Sequence, residues 1–132
     1  YRTKNVLDKY HPMYYIINII QTEVNMNWKR NNGTYRIATN EGWSNKTGSN
    51  YLCYPFMINR SYNNSSRWAL THIACGREIG NFRLLEHAKA CAKDLSVFDC
   101  WYLPTSDMLI SSMESNGEKS AIMDLVATHR QK

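Results

Sequence analysis

Residues 67–95, RWALTHIACGREIGNFRLLEHAKACAKDL, hold the change of pattern on which the fold turns. Arg67–Cys75 reads as a short β-like run, although Ser65-Ser66 just before it would also suit the cap of a helix over Arg67–Ile79. Phe82–Leu95 reads as a helix. Leu84, Ala88, Cys91 and Leu95 form its apolar seam, and Glu86 can pair with Lys89 or Lys93 on the outer face.

Upstream of this stretch, Thr34–Thr39 and Tyr51–Ile58 are further β-like runs, separated by the polar loops Asn40–Asn50 and Asn59–Ser66. Before them, Leu7, Tyr10, Tyr14, Ile17, Val24 and Trp28 recur at helical spacing, which predicts a helix from Leu7 to about Lys29, stopped by Lys29-Arg30-Asn31-Asn32-Gly33. Downstream, Val97–Leu103 reads as a strand ended by Pro104. Met108–Met113 and Lys119–Ala127 flank Glu114-Ser115-Asn116-Gly117, a hairpin signal. The expected architecture is therefore α+β: an antiparallel sheet packed with a long N-terminal helix, a second helix at about 82–95, and a C-terminal β-hairpin. Neither a linker nor an internal repeat interrupts it, so residues 1–132 are expected to form a single compact domain.

Composition narrows the class. In 132 residues, 43% hydrophobic and 20% charged side chains exclude a disordered or collagen-like chain. The longest apolar run, Tyr14–Ile20, is broken by Asn18 and falls far short of the ~20 residues of a spanning helix, so no membrane insertion is expected. No charged-then-apolar leader is visible, so a secreted reading expects one to have been removed. The net charge of +5 lies wholly in the first half. Lys29, Arg30, Arg36, Lys46, Arg60 and Arg67 stand against Glu41 alone, interleaved with Trp28, Tyr35, Trp43, Tyr51, Tyr54, Phe56 and Tyr62. Cations among aromatics suit RNA, whose phosphates and bases they can meet together. They also suit a host or partner protein, because Tyr, Trp and Arg dominate binding hot spots.

Cys53, Cys75, Cys91 and Cys100 make an even set, which in a secreted domain implies two disulfides with three connectivities open. N-x-S/T sequons at Asn32, Asn45, Asn59, Asn63 and Asn64 favour the same extracellular compartment. The alternative is an intracellular, zinc-stabilised nucleic-acid-binding domain, with His72, Cys75, His87 and Cys91 spaced as two ligand pairs. No phosphate loop, nucleophile elbow or metalloprotease motif is present. His11, His72, His87 and His129 are the near-neutral proton carriers, and a secreted ribonuclease would use His72 with Glu41 or Glu78 as its acid–base pair.

Lys46-Thr47-Gly48-Ser49-Asn50-Tyr51 followed by Tyr54-Pro55-Phe56 resembles the Gly-Ser-x-Tyr-Pro-His segment of small secreted fungal guanyl-specific ribonucleases and ribotoxins. It is also similar to the ribonuclease-like effectors that plant-pathogenic fungi secrete into hosts. Phe56 stands where those enzymes carry a catalytic His, and Thr71-His72 follows Pro55 too soon to match their late Thr-His. The resemblance therefore implies a scaffold that has lost its active site. The expectation drawn from all of this is a secreted, disulfide-stabilised, non-enzymatic binding protein, an effector or host-interaction factor without a cofactor. Trp43, Tyr51, Arg60 and Tyr62 are its expected contact residues.

Overall fold

The computed structural model describes residues 26–131. Five strands run in chain order, β1 (Lys29–Thr39), β2 (Gly42–Cys53), β3 (Phe56–Arg60), β4 (Trp68–His72) and β5 (Glu78–Phe82). Each pairs antiparallel with the next, so the sheet order is the chain order. Three helices follow, α1 (Leu85–Leu95), α2 (Ser106–Ser115) and α3 (Lys119–Arg130), with a 3₁₀ turn at Asp99–Tyr102 between α1 and α2.

This arrangement overturns the expected one. Among the described residues, the helices that cover the sheet come after the strands rather than before them. Positions 7–25 of the expected N-terminal helix lie outside the described residues, but its end is corrected: Met26–Trp28 are irregular, and Lys29 already opens β1. The polar stretch Asn40–Asn50, read as a loop, is mostly strand. Only Asn40 and Glu41 turn, and from there eleven residue pairs run in unbroken register. Polar side chains tie that hairpin together. Arg30 donates to Ser49 Oγ, Ser49 Oγ donates to Asn32 Oδ1 at 2.8 Å, and the Thr39 hydroxyl joins both sides of the turn. Composition said loop because Asn and Gly are poor strand formers, but a tight turn and cross-strand hydrogen bonds override weak propensity.

The expected C-terminal hairpin is also corrected. Asn-Gly serves both as a hairpin turn and as a helix stop. Here Asn116 caps α2 and Gly117, at φ 70°, takes the left-handed conformation. The Glu118 N–H bonds the Met113 carbonyl at 2.8 Å and the Gly117 N–H bonds that of Glu114, a Schellman closure. Helical spacing decides between the two uses: Leu109 and Met113, then Ile122, Leu125 and Val126, face the core. Val97–Leu103, expected as a strand, instead contains the 3₁₀ turn Asp99–Tyr102, held by the Trp101 indole N–H on the Leu95 carbonyl at 2.7 Å. The helix expected at 82–95 is present from Leu85, with Phe82 ending β5.

One face of the sheet presents Phe56, Ile58, Leu70 and Phe82 to Ala88, Cys91, Ala92 and Leu95 of α1 and to Ile122 and Val126 of α3. Gly80 permits the close approach of α3, because a Cβ there would lie 2.7 Å from Val126 Cγ1. The other face carries Met57, Asn59 and Thr71, with the Thr71 hydroxyl donating to Asn59 Oδ1 at 2.7 Å. The sheet also curls. The Ala38 N–H at the end of β1 reaches the Gly76 carbonyl, 2.9 Å away in the turn after β4.

Gly76 is where the curl closes, at φ 71°, with the Trp43 ring lying over it. A Cβ built there would meet Trp43 at 2.3 Å and the Ala38 nitrogen at 2.9 Å. Gly76→Ala should therefore combine left-handed strain with overpacking and lose about 2–5 kcal/mol in denaturant unfolding. A loss below about 0.5 kcal/mol, the size of an ordinary surface change, would show that the turn does not clamp the hairpin.

Candidate functional site

Two places concentrate chemistry. The first is the end of β4. His72 is fully buried, and both of its ring nitrogens are engaged. Nε2 meets the Trp101 backbone carbonyl, which can only accept, so Nε2 carries a proton. Nδ1 lies 3.0 Å from Cys75 Sγ. The tight turn of residues 72–77 sets this distance: the Gly76 N–H bonds the His72 carbonyl at 2.7 Å and the His72 N–H bonds the Arg77 carbonyl at 2.9 Å.

The pair is polarised. Burial pushes the Cys75 thiol up, but the His72 hydrogen bond, the Arg77 backbone N–H and the His72 and Arg77 charges more than offset it, leaving the thiol below its ordinary range. Burial likewise pushes His72 down, but the bonds to Cys75 and Trp101 hold the imidazole above its ordinary value. Both shifts move the proton from sulfur toward the ring. The other thiols behave in the opposite way. Burial pushes Cys91 and Cys100 up to about 12, and the half-buried Cys53 is also raised, first by burial.

His72 and Cys75 line a cavity of about 620 Å³ between β5, the 3₁₀ turn, α2 and α3. Its walls are chiefly apolar, from Ile79, Leu109, Met113, Ile122 and Val126, with Arg77, Glu78 and Arg130 as its charged members. Near the end of α3, His129 Nε2 meets Asp94 at 2.7 Å and ties that helix to α1.

The second place is a basic, aromatic patch on the sheet. Register places Tyr51, Arg60 and Trp68 on one face together with Arg30. The Arg60 guanidinium lies 3.7 Å over Trp68, Lys89 lies 5.3 Å over Tyr51, and the two rings meet edge to face at 5.9 Å. Of the four expected contact residues, Tyr51 and Arg60 are thus brought together and the others are not. Tyr62 sits beneath Lys46, which belongs to the opposite face. Trp43 is 50% exposed but is held between Arg36 and Gly76, which gives it a packing role. Trp68 and Lys89 were missed. In the sequence Trp68 signals only a strand and Lys89 only a charged helix surface, and neither signal reveals a contact made across two elements.

The remaining expected sites separate. His72 and Cys75 meet, but His87 and Cys91 sit on α1, and among the described residues no three His, Cys, Asp or Glu side chains come together as a metal site. The zinc quartet is therefore corrected to a pair. The four cysteines are free in this structure, Cys53 half-buried and the others buried. His72 pairs with neither carboxylate named for a ribonuclease. Glu41 lies exposed in the β1–β2 turn, and Glu78 accepts from Ser61 Oγ and Asn81 Nδ2. Phe56, in the position that the resemblance assigns to a catalytic His, is a fully buried core residue stacked edge to face on Trp101. Among the described residues, no helix is long and apolar enough to cross a membrane.

No family model matches the chain, and neither a curated protein nor a solved structure does.

Replacing His72 with Ala should leave the Trp101 carbonyl without its partner and open a void, costing about 2–4 kcal/mol in denaturant unfolding. In the folded wild-type protein, Cys91 and Cys100 should resist iodoacetamide at about pH 8, because alkylation needs the thiolate. Labelling of either one as fast as in the unfolded chain would contradict their burial.

Proposed function

We propose that this chain is a small, non-enzymatic binding protein that engages an acidic protein surface through the Arg30–Tyr51–Arg60–Trp68–Lys89 patch. The stacking of Arg60 on Trp68 and of Lys89 on Tyr51 carries this reading. A cation held over a ring loses little side-chain freedom when it meets a carboxylate, which lowers the entropic cost of binding. The same geometry favours protein over nucleic acid. Tyr51 and Trp68 are half-buried and each has a cation over its ring, leaving them poorly placed for the base stacking that single strands use. The six cations that stand against Glu41 alone between Lys29 and Arg67 supply long-range attraction to an acidic partner.

An extracellular setting, of the kind a secreted effector or host-interaction factor occupies, is part of this reading. Its support is the sequons, of which Asn32, Asn45, Asn63 and Asn64 are exposed. Asn59, at 1% exposure, donates to the Arg60 carbonyl and is closed to a glycan.

Binding of the full chain to fluorescent poly-glutamate, followed by anisotropy, tests the patch. Arg60→Ala with Lys89→Ala should weaken binding by about tenfold or more, since charge-assisted contacts contribute about 1.5–3 kcal/mol each. The melting temperature should shift by only a few degrees, roughly what the loss of two exposed cation–π contacts implies. Unchanged affinity would remove the patch from the reading. Tighter binding of an oligothymidylate than of poly-glutamate would replace the protein partner with nucleic acid.

A further inference from the structure

We propose that Cys75 is an acyl-acceptor site: its sulfur takes an apolar acyl group from a thioester, and the acyl chain occupies the adjoining cavity. This inference is independent of the basic patch and concerns a modification rather than turnover.

Three features of the geometry meet at this sulfur. The first is its neighbour, a fully buried imidazole held in one orientation by the Trp101 carbonyl, with Nδ1 at 3.0 Å. The second is its outlook. Cys75 is only 9% exposed, yet it lines a cavity of about 620 Å³, within the size range of small-molecule sites. Aliphatic and Met side chains from β5, α2 and α3 make up most of the wall, so the favoured occupant is a hydrocarbon chain rather than a polar substrate. The third is the charge at the cavity. Arg77 and Arg130 exceed Glu78 by one, which suits the anionic carriers on which activated acyl groups are borne. The lowered thiol and raised imidazole are consistent with this role.

The exchange balances without any redox partner. Cys75 gives its thiol proton to His72 Nδ1, and the resulting thiolate attacks the thioester carbonyl carbon, forming a new carbon–sulfur bond while the bond from that carbon to the carrier sulfur breaks. The departing thiolate takes the proton from His72 Nδ1 and leaves as a free thiol. The ring is left neutral, with its remaining proton on Nε2. The product is an S-acyl Cys75 whose chain lies among Leu109, Met113 and Ile122. This fate distinguishes Cys75 from Cys53, the more exposed thiol, which has no imidazole partner among the described residues.

The test is incubation of the reduced full chain with octanoyl-coenzyme A, read by intact mass and peptide mapping. A single octanoyl group on Cys75, released by hydroxylamine and absent from Cys75→Ser, is the expected result. Acetyl-coenzyme A should react at least about tenfold more slowly, because it gains little from the apolar cavity. His72→Gln, checked for folding by circular dichroism, should slow octanoylation by a similar factor. Labelling at Cys53 instead of Cys75, equal rates for the acetyl and octanoyl donors, or no acylation at all would each overturn the proposal. The chain-length comparison uses the wild-type protein, so it decides the matter even if the His72 variant fails to fold.

Discussion

The described fold depends on one buried ring. His72 ends β4, the strand that carries Leu70 into the core, and its two nitrogens reach in different directions: one to the carbonyl of Trp101 in the 3₁₀ turn, the other to Cys75 in its own turn. A histidine with no solvent access must have its polar atoms satisfied, and here that requirement couples the sheet to the segment that leads into α2. The Trp101 ring also packs on Phe56 edge to face and on His72 itself, so the hydrogen bond lies inside an aromatic group rather than at its edge.

Two other features follow from that fixed turn. It places the Gly76 carbonyl where the end of β1 can bond to it, and it places the Gly76 backbone under Trp43, which draws the long hairpin over the end of the sheet. It also holds Cys75 at the wall of the large cavity rather than in solvent. The helices complete the enclosure: α3 closes on Gly80, and His129 fixes α3 to α1 through Asp94. The basic patch forms at the opposite end of β3 and β4, where Arg60 pairs with Trp68. The two candidate sites thus occupy the two ends of the same pair of strands.

How much of this could be read in the sequence depends on the range of the interactions. The helix at Leu85–Leu95 was legible because its apolar seam repeats within a few residues, and the strand character of Thr34–Thr39 was legible from an equally local pattern, whereas Arg67–Cys75 stayed open between strand and helix until β4 paired on both sides. The β1–β2 ladder was not legible. Its stability comes from pairs such as Asn32 with Ser49, which are ordinary loop residues until the register aligns them. Asn116-Gly117 was misread because the same dipeptide suits a hairpin and a helix end, and only the packing of Leu109 and Ile122 separates them. At the candidate site, His72 and Cys75, read from their spacing as zinc ligands, meet instead in a side-chain contact with each other. The zinc reading added His87 and Cys91 from α1, and among the described residues the four do not come together as a metal site. Trp101, which orients the imidazole, lies twenty-nine residues from it and acts through its backbone, a contribution no side-chain motif records.

The most direct test of this account is the protonation pattern of His72, read by long-range nitrogen–proton NMR on uniformly labelled protein. A proton on Nε2 that exchanges slowly with water is expected, because it is donated to the Trp101 carbonyl within the core. A His72 ring protonated on Nδ1 alone, or an Nε2 proton in rapid exchange, would show that the ring does not join the sheet to the 3₁₀ turn, and the account of both the fold and the Cys75 site would fail with it.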